Sequence, residues 1–115
     1  MSRGSFHAVA VAAVIALAAG VNGAMAADVD ADAAQALIKK SECGKCHAVD
    51  KKKDGPSFKE TAEKLKGKPG AEDEVYKHLT TQPMVKIDGK EEKHKAVKST
   101  DEAEIKNLVR YILTR

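Results

Sequence analysis

The sequence predicts an all-α domain with at most one short hairpin. Apolar residues recur at helical spacing in several separate segments, and most of these segments begin with residues suited to a helix N-terminus. Signals for strands are confined to a few residues between positions 81 and 98. The chain of 115 residues is long enough for one domain.

The first residues have the pattern of a secretory signal peptide. Arg3 precedes an apolar run at 8–19, and small residues then lead to an Ala-Met-Ala cleavage sequence at 24–26. The apolar run is too short to span a bilayer, which needs roughly 20 residues. We therefore expect residues 1–26 to be removed during export to the periplasm and residues 27–115 to form the domain. An uncleaved anchor is the alternative.

The first helix of the domain is predicted to run from about Asp32 into the segment 43–47. Acidic residues precede it and suit a helix N-terminus. Ala34, Leu37 and Ile38 then form an apolar stripe at helical spacing.

Two short helices and a possible hairpin are predicted in the middle of the domain. Residues 57–60 have the Ser-x-x-Glu capping-box spacing, which predicts a helix to about residue 65. Residues 71–80 have acidic residues in the first turn and an apolar face, so they predict another helix. Residues 85–89 could form a small hairpin or an extended turn, and the charged stretch 90–95 is expected to lie in a long functional or disordered loop.

The last helix is predicted from about residue 101 to residue 114. Ser99 and Glu102 have capping-box spacing. Four apolar residues follow at helical spacing: Ile105, Leu108, Val109 and Ile112.

The residues that carry chemistry are the five consecutive residues 43–47, Cys-Gly-Lys-Cys-His. Two cysteines two residues apart, followed at once by histidine, are the attachment signature of a c-type haem. Cys43 and Cys46 would each form a thioether to a haem vinyl group, and His47 would ligate the iron. Aromatic residues are scarce, so a porphyrin would also supply apolar surface that this small domain lacks.

Other uses of two closely spaced cysteines remain as alternatives. A disulfide-exchange site has the same spacing, but it normally lies at a helix start in a fold with a sheet. A zinc site would need two further ligands, and His78 and His94 do not form a recognised second pair. A structural disulfide is disfavoured by the two-residue gap.

Three stretches resemble small bacterial class I cytochromes c of the c-551/c-552 type: residues 36–50, 54–59 and 108–113. The resemblance covers nearly all of the predicted domain and implies one covalent haem c with its iron. It implies that the first and last helices cross and pack, with Tyr111 assigned to packing at the cofactor site. It also implies that the carbonyl of Pro56 accepts a hydrogen bond from the imidazole of His47, which would fix the ring.

The second axial ligand is where the chain departs from this family. The family's methionine usually lies a few residues before the last helix, where this chain has none. His94 lies seven residues before Asp101, and Met84 lies seventeen residues before it. We favour His94, which would give a bis-histidine haem of lower potential. Met84 in a rebuilt loop and a five-coordinate iron are the alternatives, and His78 is expected at the surface or helix edge.

The predicted function is one-electron transfer between transient redox partners. No catalytic acid–base pair or nucleophile is recognisable, so we do not expect an enzyme. The alternative is a haem-based ligand binder or small redox enzyme with an open or displaceable distal site, and a periplasmic thiol oxidoreductase is a third possibility. We expect a monomer without stable membrane insertion.

Lysines at 51–53 and 86–98 could form a docking face for an acidic partner. Acidic residues are interleaved with them, so an ordinary solvated surface is the alternative. The formal net charge of +3 does not favour nucleic acid as a partner.

Overall fold

The computed structural model describes residues 28–115, so the predicted signal peptide and its cleavage site lie outside the described residues. The all-α class with one hairpin is confirmed. In chain order the elements are α1 (Ala31–Lys40), a 3-10 turn (Cys43–Lys45), α2 (Phe58–Leu65), α3 (Ala71–Thr80), β1 (Met84–Ile87), β2 (Lys90–Lys93) and α4 (Glu102–Leu113). No helix in this part of the chain is long and apolar enough to cross a membrane.

Helix α1 begins after an Asp30 cap and ends before the cysteine motif. The Asp30 carboxylate accepts a hydrogen bond from the backbone N–H of Ala33 at 3.0 Å. The prediction that this helix continues into residues 43–47 is wrong, because Glu42 has a left-handed backbone with φ of 59°. That conformation ends the helix, and Cys43 starts a separate 3-10 turn.

Helices α2 and α3 lie where the sequence predicts them. The predicted capping box is present: the Ser57 hydroxyl accepts from the Glu60 N–H, and the Glu60 carboxylate accepts from the Ser57 N–H, both at 3.0 Å. Helix α3 follows Gly70, whose φ of 78° suits a residue without a side chain.

The hairpin is confirmed and extends further than the sequence indicates. Ile87 pairs with Lys90 across an Asp88-Gly89 turn in which both residues have positive φ, as a two-residue hairpin turn requires. The charged stretch from Lys90 is therefore a strand at its start rather than a loop. The turn sets its register, and all four residues of β2 remain exposed.

Helix α4 is capped by Asp101, so the predicted capping box at Ser99 is wrong. The Asp101 carboxylate accepts from the N–H groups of Ala103 at 2.9 Å and Glu104 at 3.3 Å. The Ser99 hydroxyl instead donates to the Glu104 carboxylate at 2.7 Å, which leaves Asp101 as the nearer cap.

Helix α4 is the common packing partner of the other three helices. Leu37, Leu108 and Val109 are the largest fully buried side chains. The predicted packing of the first helix on the last is confirmed: Leu37 shares one buried cluster with Ile105, Leu108 and Tyr111, and Ile38 is partly buried against it.

Candidate haem site

A cavity of about 790 Å³ lies between the helices and the hairpin. Such a volume, with mostly apolar walls and a few polar groups, is typical of a cofactor site. The apolar lining residues are Ile38, Pro56, Phe58, Leu65, Val75, Leu79, Val85, Ile87, Val97, Leu108 and Ile112. Five residues able to bind a haem or its iron also line it: Cys43, Cys46, His47, His78 and His94.

The cysteine motif folds back on itself at the cavity wall. The carbonyl of Cys43 accepts hydrogen bonds from the N–H groups of Cys46 at 3.2 Å and His47 at 2.9 Å. The carbonyl of Cys46 accepts from the N–H of Gly55 at 2.8 Å, which ties the motif to the following loop. Both thiols and the imidazole therefore line the same cavity.

The structure disfavours the alternative functions of the two cysteines, disulfide exchange and zinc binding. Burial raises the pKa of the Cys43 thiol, whereas a disulfide-exchange nucleophile needs a lowered one. The described part of the chain has a single two-stranded sheet, unlike the folds that carry exchange sites. Zinc also lacks a site within residues 28–115, because no group of three or more His, Cys, Asp and Glu side chains is placed to hold a metal ion.

His47 is held on one side by Pro56. Its Nδ1 lies 2.7 Å from the Pro56 carbonyl oxygen, so Nδ1 carries the proton and donates it to that carbonyl. This tautomer leaves Nε2 free to bind a metal ion. The ring also stacks on Phe58 with centroids 5.7 Å apart.

Gly55 leaves room for this arrangement. A Cβ at position 55 would lie 2.8 Å from Nδ1 of His47 and 3.0 Å from Nε2. Any residue larger than glycine would therefore displace the imidazole.

His94 lines the same cavity as His47. It directly follows β2, and its N–H donates to the Pro83 carbonyl at 2.8 Å. The ring centroids of His94 and His47 are 6.0 Å apart, with a tilt of 51° between the rings. Burial, together with the neighbouring His78 and His47, lowers the pKa of His94 to about 4. The imidazole is therefore neutral near pH 7, which is the form that binds metal ions.

His78 is the site residue that sequence reasoning missed. It was expected at the surface or helix edge, but it is half-buried and its ring centroid lies 4.1 Å from that of His94. Burial lowers the pKa of His78 as well. The signal that could have found it is its spacing from Val75, because residues three apart share a helix face and Val75 is buried.

Met84 and Tyr111 do not line the cavity. Met84 is 55% exposed, and it lies on the more exposed face of β1, since successive strand residues point to opposite sides. Tyr111 is buried in the cluster that joins α1 to α4, so its role is helix packing rather than contact with the cavity.

Residues 31–115 match the family model described as Cytochrome c. This chain belongs to the cytochrome c family. The class 1 cytochrome MtoD from Sideroxydans lithotrophicus ES-1 has a similar structure, with a TM-score of 0.72 and 48% sequence identity over 75% of this chain and 96% of that chain.

Two cytochromes c-551 are similar over a shorter stretch of 45 residues. The protein from Stutzerimonas stutzeri is 44% identical and that from Pseudomonas aeruginosa is 40% identical. Each match covers 39% of this chain and 43% of the relative, so the chain spans less than half the length of these curated relatives.

These findings confirm the resemblance to small class I c-type cytochromes and the covalent haem c with its iron. The residues present fit that group. Two thiols lie on one wall of an apolar cavity, and His47 has a free Nε2 beside them. Nδ1 of His94 is the one buried side-chain nitrogen or oxygen without a hydrogen-bond partner among the described residues.

Proposed function

We propose that this protein carries single electrons between redox partners in the periplasm, with haem iron ligated by His47 and His94. The observation that carries the proposal is the 6.0 Å separation of the two imidazole centroids, which line one cavity. An imidazole nitrogen binds a metal ion at about 2 Å and the ring centre lies roughly 1 Å further back, so two imidazoles on opposite sides of one ion have centroids about 6 Å apart. The spacing therefore suits one metal ion between the rings.

The environment of the two histidines supports the same assignment. Pro56 accepts the Nδ1 proton of His47, which orients the ring and raises its basicity. His94 is kept neutral by burial, so it does not have to lose a proton before binding iron. Met84, the alternative ligand, would have to leave an exposed strand position to enter the cavity.

The chain around the site suits an electron carrier. When bound, the haem takes up and releases one electron. The apolar walls exclude water from it, and two imidazole ligands set a lower potential than a histidine–methionine pair. The test is a potentiometric titration with optical detection. We expect a reversible one-electron step, a low-spin spectrum and no sulfur-to-iron charge-transfer band in the oxidised protein.

One observation favours a second candidate, a haem-based ligand binder or small redox enzyme with a displaceable distal ligand. Nδ1 of His94 has no hydrogen-bond partner among the described residues, so if Nε2 binds the iron, this ring lacks the bond by which metal-binding histidines are usually held. A ring without that bond is easier to displace. Carbon monoxide separates the two functions: prompt binding to the reduced protein favours the ligand binder, and slow or absent binding favours the carrier.

The periplasmic location is supported by the signal-like residues 3–26. The intact mass of the exported protein tests it, because cleavage after residue 26 and one covalent haem give a defined value. A mass that retains residues 1–26 would contradict it.

A further inference from the structure

Two adjacent residues, Ser41 and Glu42, contact the segment that follows His94. The Ser41 hydroxyl accepts a hydrogen bond from the backbone N–H of Lys98 at 2.9 Å. The Glu42 carboxylate lies 3.3 Å from Nζ of Lys95, the residue next to His94. These contacts connect the residues just before Cys43 with residues more than fifty positions later in the chain.

The Ser41 contact is buried and belongs to a two-sided attachment. Ser41 is only 5% exposed, so water has little access to the Lys98 N–H as an alternative hydrogen-bond partner. The neighbouring Val97 is buried too, and its N–H donates to the carbonyl of Leu79 in α3 at 2.8 Å. Residues 97 and 98 are therefore bonded to the end of α1 on one side and to α3 on the other.

The Glu42 contact comes with a conformational cost. A φ of 59° is comfortable for glycine but unfavourable for a residue with a side chain. The carboxylate pairs with Lys45 at 3.2 Å as well as with Lys95, but the Glu42 side chain is 40% exposed and such pairs contribute little to folding stability. The contacts that the structure shows for this carboxylate are the two ion pairs, one to Lys45 and one to Lys95.

We propose that Ser41 and Glu42 are positioning residues that hold the segment 94–98 so that His94 stays on the iron. This inference rests on the proposed ligation by His47 and His94. Because Glu42 directly precedes Cys43, one short stretch of chain holds both a covalent attachment point of the haem and the segment of the distal ligand. The position of the His94 imidazole is thereby fixed relative to the attached haem, and not only by the hairpin that precedes it.

The test is the rate at which added imidazole replaces the sixth ligand in the oxidised holoprotein, followed by stopped-flow absorbance. Ser41→Ala leaves the Lys98 N–H without its buried partner, and we expect exchange at least about fivefold faster than in the wild type. Glu42→Gly removes the carboxylate but relieves the left-handed strain. We expect exchange about two- to fivefold faster without a lower melting temperature.

Matched controls separate positioning from general destabilisation. Ser99→Ala removes a hydroxyl that bonds within the start of α4, and Glu102→Ala removes an exposed ion pair to Lys106 at 2.7 Å. Both should exchange at the wild-type rate. Lys95→Gln should speed exchange as much as Glu42→Gln, and the double variant should add nothing, because the two side chains act as one pair.

The outcomes distinguish this inference from the function on which it rests. If His94→Ala leaves the spectrum of the iron unchanged, His94 is not the ligand, and the positioning roles of Ser41 and Glu42 are wrong as well. If His94 is the ligand but the sixth ligand of Glu42→Gly and Lys95→Gln exchanges at the wild-type rate, only the positioning role of Glu42 is wrong. If Ser41→Ala yields no holoprotein, Ser41→Thr replaces it in the test, because threonine keeps the hydroxyl. Ser41→Thr must then give the wild-type yield and the wild-type exchange rate. A different result overturns the role of Ser41.

Discussion

Replacing Gly55 with alanine would press a methyl group against the proximal imidazole. The added carbon would lie 2.8 Å from Nδ1 of His47, so the ring must move. Movement would weaken the 2.7 Å hydrogen bond to Pro56 and the stacking on Phe58. We therefore expect Gly55→Ala to disturb both the fold and the ligation of the iron.

The size of the effect follows from these contacts. Overpacking by one carbon costs about 1–3 kcal/mol, and a lost hydrogen bond adds about 1 kcal/mol. The sum is about 2–4 kcal/mol in the free energy of unfolding, which for a domain of this size lowers the melting temperature by about 10–30 °C.

The assay is thermal unfolding of the holoprotein, together with its visible spectrum. Gly44→Ala is the matched control, because a Cβ at position 44, between the two cysteines, would meet nothing within 4 Å. We expect Gly44→Ala to melt within a few degrees of the wild type. If Gly55→Ala has the same melting temperature as Gly44→Ala and keeps the wild-type spectrum, Gly55 is not needed to make room for the His47 imidazole.

Three further outcomes are expected. Leu108→Ala should cost about 3 kcal/mol in chemical unfolding, because Leu108 is fully buried in the α4 interface, and a cost below 1 kcal/mol would contradict that packing. Ser57→Ala should cost about 1 kcal/mol through loss of the capping box, whereas Ser57→Thr should restore most of it; equal stability of both variants with the wild type would count against the cap. Electron transfer to an acidic partner should slow as salt is added if the lysines at 51–53 and 86–98 guide docking, and a rate independent of ionic strength would exclude that role.

Features governed by nearby residues could be predicted from the sequence. The capping box at Ser57 depends on residues within a few positions, so its pattern was sufficient. The turn at Asp88-Gly89 is equally local, and its pattern indicated a hairpin as one of two possibilities. The cysteine motif likewise predicted the covalent haem c.

Features set by distant contacts could not be predicted. The break at Glu42 involves a partner 53 positions away, Lys95, and glutamate has no intrinsic preference for a left-handed backbone. His78 lines the cavity because of how α3 packs on α4, which a single helix pattern does not specify. The exposure of Met84 depends on the face of β1 on which it lies. The cap at Asp101 was missed for another reason, since Ser99 offered a competing local signal.

The near-infrared magnetic circular dichroism of the oxidised protein tests the central claim most directly, because its charge-transfer band distinguishes nitrogen from sulfur at the sixth position. It should be recorded for the wild type beside His94→Ala and Met84→Ala. We predict a bis-imidazole signature that Met84→Ala leaves unchanged and His94→Ala abolishes. A sulfur-ligand signature in the wild type that disappears in Met84→Ala would contradict the account.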